Sequence, residues 1–119
     1  MENSNGLGIR SNSRLDPSVE RILVNKNTRN LRNLLLQVLT EASMRVDTKK
    51  CSQDEQQAFQ SLREFWDGFQ ESLENPSDHS KKEMMDIRYE NIIAQCEAFG
   101  WCHEGESELL RVYISIYTS

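Results

Sequence analysis

Three cysteines, two prolines and five glycines in 119 residues leave the chain short of staples and of hinges. An odd, sparse set of cysteines cannot build a disulfide scaffold, so the fold has to rest on its own core, and a reducing compartment (cytosol or nucleus) suits the free thiols. No apolar run approaches the ~18–20 residues that span a bilayer, so no membrane segment is expected. The opening residues carry no hydrophobic stretch of the secretory kind, and residue 2 is Glu rather than the Gly that N-myristoylation requires. Asn75 starts the one sequon-like triplet, and Pro76 blocks it.

Chemistry is equally thin. There is no glycine-rich phosphate loop and no His-Glu-x-x-His helix. Cys96, Cys102 and His103 lack the short spacing that sets two thiolates on one zinc knuckle, and adjacent side chains such as Cys102 and His103 diverge. The same adjacency fails to aim the imidazole at the thiol for nucleophilic catalysis. Glu64, Asp67, Glu71 and Glu74 recur at helical spacing and read as a solvated face. The expectation is a non-enzymatic protein with no cofactor, no metal and no small-molecule substrate.

What is present is a charge split. Residues 1–50 hold nine Lys/Arg against five Asp/Glu, and residues 51–119 hold five against fourteen, giving +4 and −9. Either the basic part meets an acidic partner, or the two parts attract each other within one domain.

Hydrophobic periodicity is helical nearly throughout. Residues 1–14 are Asn/Ser/Gly-rich and read as a disordered arm, followed by one helical domain over 15–119. Asp16 as cap and Pro17 in the first turn open a short helix with Val19, Ile22 and Leu23 on one face, ending near Asn25–Asn27. Thr28 caps a second helix through about Val46, with Leu31, Leu34, Leu35, Val38, Leu39, Ala42 and Val46 as its stripe and Leu36 as a second apolar edge. Ser52 and Glu55 form a capping box for a third helix reaching about Glu74. That helix carries Phe59, Leu62, Phe65, Trp66, Phe69 and Leu73, and its internal Gly68 suggests close approach of another backbone. Ser77 or Asp78 caps a fourth helix bearing Met84, Met85, Ile87, Tyr89, Ile92, Ile93, Cys96 and Phe99, stopped by Gly100. The segment 106–119 fits a helix or a strand, with helix preferred because a lone strand needs a partner. The fold class is therefore all-α, a compact bundle of four to five helices.

Two surfaces are candidates for function. The aromatic and methionine residues Phe65, Trp66, Phe69, Met84, Met85 and Trp101 are read as a seam for a protein partner or a homodimer, with the packed core as the plainer reading of the same residues. The basic residues Arg10, Arg14, Arg21, Lys26, Arg29 and Arg32, interleaved with asparagines, are read as an alternative RNA- or DNA-binding face. Salt bridges to the acidic half are the plainer reading there. The leading expectation is an intracellular adaptor or regulator acting by protein–protein contact as a homodimer, a type of small helical chain also common among viral accessory proteins.

Overall fold

The computed structural model describes residues 16–48 and 50–119, and these form four helices: α1 (Pro17–Thr48), α2 (Gln53–Glu74), α3 (Ser80–Ala98) and α4 (Glu106–Thr118). The disordered arm expected over residues 1–14 lies outside the described residues. Each helix packs on the next and α4 closes back onto α1, so the four make a ring around one core. Neighbours run antiparallel. On the α1–α4 side, Asn27 meets Tyr113 while Gln37 meets Glu106; on the α3–α4 side, Asp86 meets Thr118 while Glu90 meets Arg111. Short connections between long helices favour this up-and-down arrangement.

The two helices expected before Asp47 are one. Asp16 and Pro17 open it as anticipated, with the Asp16 carboxylate accepting the Ser18 N–H at 2.8 Å. No break follows at Asn25–Asn27, because Asn costs a helix only ~0.7 kcal/mol or less relative to Ala. Thr28 does not cap. Its hydroxyl donates back to the Val24 carbonyl at 3.0 Å, a bond made inside a continuing helix. Asn27 is turned to tertiary use, its side-chain amide donating to the Tyr113 carbonyl at 3.0 Å.

The α1 stripe packs as its spacing predicts: Leu31, Leu35, Val38 and Ala42 are buried, with Leu34, Leu39 and Val46 partly so. Leu36 is exposed, so α1 contributes one face to the core and is not surrounded. Ser52 caps α2 through its hydroxyl, which accepts the Glu55 N–H at 3.1 Å. Asp78 serves α3 in the way Asp16 serves α1, accepting both the N–H and the hydroxyl of Ser80. At the end of α3, Gly100 takes φ 76°, its N–H bonds the Glu97 carbonyl and the Trp101 N–H bonds the Cys96 carbonyl at 2.8 Å. This is the left-handed stop that glycine permits at least cost.

The segment 106–119 is helical through Thr118. Leu110, Ile114 and Tyr117 recur at i, i+4 and i+7 and are all buried, which a strand could not achieve against helices on both sides. At one end of the core the Tyr117 ring meets Phe69 edge-on, centroids 5.1 Å apart. At the other end Trp101 stacks on Phe99 at 5.3 Å and takes Phe59 edge-on at 6.3 Å.

Candidate interaction surface

At 1.5 Å per residue α1 is ~48 Å long against ~33 Å for α2, so about ten residues of α1 run past the length of α2. Burial places the excess. Every residue from Asp16 to Lys26 is exposed, and Asn27 is the first to be covered. The overhang is apolar as well as exposed: Val19, Ile22, Leu23 and Val24 stand open, Ile22 at 65%. The sequence reading set Val19, Ile22 and Leu23 on one face of a short helix. As turns of a continuous α1, Val24 instead prolongs the line of Leu31 and Leu35, Leu23 lies in line with Leu34, and Ile22 points away from both.

A second apolar edge adjoins it. Leu109, Val112 and Ile116 follow one another along α4 at i, i+3 and i+7, each about half exposed. Ile116 meets the overhang in a shallow groove of about 280 Å³, shared with Leu23, Val24, Lys26, Asn27 and Asn30. Overhang and edge form one unpartnered surface among the described residues. Neither belonged to the surfaces expected from sequence, because exposure depends on where α4 stops beside α1 and spacing does not encode that.

The expected aromatic seam is distributed differently. Phe65, Phe69, Met85 and Trp101 are in the core. Trp66 is half-buried against Phe69 and Met84 is exposed. Phe65, Met84 and Met85 share the wall of a cavity of about 200 Å³ with Glu64, Gly68, Lys81 and Arg88, whereas Trp101 sits at the opposite end of the bundle. No backbone approaches Gly68: a Cβ there would meet no atom within 4 Å. The glycine leaves space at the cavity wall.

Of the expected basic residues, Arg10 and Arg14 lie outside the described residues. Arg21, Lys26, Arg29 and Arg32 are all exposed on α1. None of the four enters an ion pair among the described residues. The ion pairs found elsewhere are Arg45–Glu41 at 2.7 Å within α1, Lys81–Glu71 at 2.8 Å between α3 and α2, and Arg111 with Glu90, Glu97 and Glu108. Among the described residues, these four cations are thus not neutralised by the acidic half. Glu64, Asp67, Glu71 and Glu74 are exposed, as a solvated face requires.

The thiols are three free cysteines. Burial pushes the Cys96 thiol up to about 12 and also raises Cys102, so neither supplies a thiolate at neutral pH. Among the described residues no three His, Cys, Asp or Glu side chains gather closely enough to hold a metal ion, and no helix is long and apolar enough to cross a membrane. Comparison with protein families, with curated proteins and with solved structures finds no match to this chain.

Proposed function

We propose that the protein is a non-enzymatic adaptor or regulator that works by protein–protein contact, beginning with its own second copy, in the cytosol or nucleus. The observation that carries this reading is the overhang of α1. Nearly three turns of helix, rich in Val, Ile and Leu, extend past the bundle, and helices this short gain their stability from packing. The Leu109–Val112–Ile116 edge beside it supplies the matching apolar surface. An antiparallel pair of α1 helices would lay each overhang along the other copy's α1–α4 groove. That arrangement is isologous, as two-fold dimers require. A standard specific interface buries roughly 800 Å² per partner, and each copy would contribute both its overhang and its groove to that area.

Sedimentation equilibrium of the full chain tests it. The expected result is a dimer that Leu23→Glu combined with Ile116→Glu converts to a monomer with unchanged helical circular dichroism. Both side chains are half exposed, so the double variant keeps its core. A monomeric wild type, or a double variant that still dimerises, overturns the reading.

A further inference from the structure

The side of α1 turned away from the apolar groove carries a second feature. Residues 21–40 contain no Asp or Glu, and their charges are Arg21, Lys26, Arg29 and Arg32. Arg21, Asn25, Arg29 and then Arg32 with Asn33 recur at i, i+4, i+8 and i+11 or i+12, so they form one ridge, with Lys26 on its flank. All six are exposed. Glu20, the nearest carboxylate along the helix, falls in line with Val24 and Leu31 on the other side. The four cations are unpaired among the described residues although the rest of the chain is rich in carboxylates.

We infer that this ridge binds the phosphate backbone of a nucleic acid. From Arg21 to Arg32 it covers about 16 Å of helix axis. Over that distance one strand of a duplex presents about five phosphates, one per ~3.4 Å. Guanidinium forks match phosphate oxygens in pairs, and the asparagine amides are neutral donors to the same oxygens. Repulsion from the acidic helices is the obvious objection, and the overhang weakens it. Arg21 stands six residues, about 9 Å, beyond Asn27. This is comparable to the ~8 Å Debye length at physiological salt, so the bundle's negative field is reduced where that side chain sits, while Lys26, Arg29 and Arg32 lie nearer the bundle on the exposed surface of α1. No aromatic side chain lies on the ridge to stack bases, so recognition is of backbone charge and not of base sequence.

The test is fluorescence anisotropy of the full chain against two labelled probes, a duplex DNA of about 20 base pairs and an oligouridine of about 20 nucleotides, across a salt series. Four phosphate contacts predict a slope of log K on log salt near −3.6 for the duplex and near −2.8 for the single strand, which is about a hundredfold loss from 50 to 200 mM salt for the duplex. Arg29→Gln with Arg32→Gln should halve the slope and leave the helical signal unchanged. A steeper slope and tighter binding with one probe identify the form of nucleic acid preferred. Absence of binding to both probes at low salt overturns the inference, as does a slope the double variant leaves intact. Binding of the wild type to phosphatidylserine vesicles but to neither oligonucleotide also overturns it, in favour of a lipid surface. The variants lie off the Leu23–Ile116 groove, so this outcome and that of the dimer test are independent.

Discussion

The hydroxyls of Ser72 and Tyr117 lie 2.6 Å apart in the core, joining the end of α2 to the end of α4. Ser72 has one proton, and it is directed to the Phe69 carbonyl, also at 2.6 Å. Tyr117 is therefore the donor to Ser72, in a short relay from phenol to serine to backbone. The Lys82 ammonium lies over the same ring, 4.7 Å from its centroid.

This relay predicts an alkaline limit to stability. Burial holds the Tyr117 phenol above its ordinary value near 10. The unfolded chain therefore releases this proton first, and above about pH 10 the folded state binds more protons than the unfolded one. Stability from Tyr117 is complete below pH 10 and declines as pH rises through the folded-state value. Tyr117→Phe should cost about 0.5–1.5 kcal/mol at pH 8 from the lost hydrogen bond. It should also flatten the decline above pH 10. Urea midpoints at the two pH values measure both, and an equal decline in the variant refutes the assignment.

Trp101 and Trp66 should part company under mutation. Trp101 is 1% exposed, stacked on Phe99 and met edge-on by Phe59, so Trp101→Ala should cost about 3–5 kcal/mol, a large share of a domain's total. Trp66→Ala, half-buried, should cost clearly less. Thermal melts followed at 222 nm decide the order, and a Trp101→Ala melt within a few degrees of wild type would place that ring outside the core.

The three thiols should separate by reactivity. Half-buried Cys51 should alkylate first in native buffer at pH 8, while Cys96 and Cys102 stay protected by burial and by suppressed ionisation. All three should react in denaturant. Mass spectrometry after brief iodoacetamide treatment reads this directly, and early modification of Cys96 would contradict its position in the core.

How far the sequence reaches is clearest in α1. Leu31, Leu35, Val38 and Ala42 announced both the helix and the face it buries, because helical spacing and burial share one cause. The Asp16 cap and the Gly100 stop were equally legible, being local rules of backbone satisfaction. Asn25–Asn27 misled because asparagine favours caps and turns but tolerates a helix interior, and the bond from Asn27 to Tyr113 joins residues far apart in sequence. The aromatic residues were visible as a cluster, yet a stripe of Phe, Trp and Met looks the same whether it faces a core or a partner. Burial separated Trp66 and Met84 from Phe65, Phe69, Met85 and Trp101. The basic residues were legible as composition. Their arrangement as one ridge became visible only when the two expected helices proved to be one.

The tie of Asn27 to Tyr113 marks where α1 leaves the bundle, and it divides the helix into two regimes of backbone protection. From Leu31 to Ala42 the amides open only with the core, whereas from Ser18 to Lys26 no burial opposes fraying among the described residues. Exchange of these outer amides with deuterium is therefore an internal gauge of occupancy: fast when the projection stands alone, slow when a second copy or a nucleic acid holds it. One helix thus carries both the reference signal and the reporter.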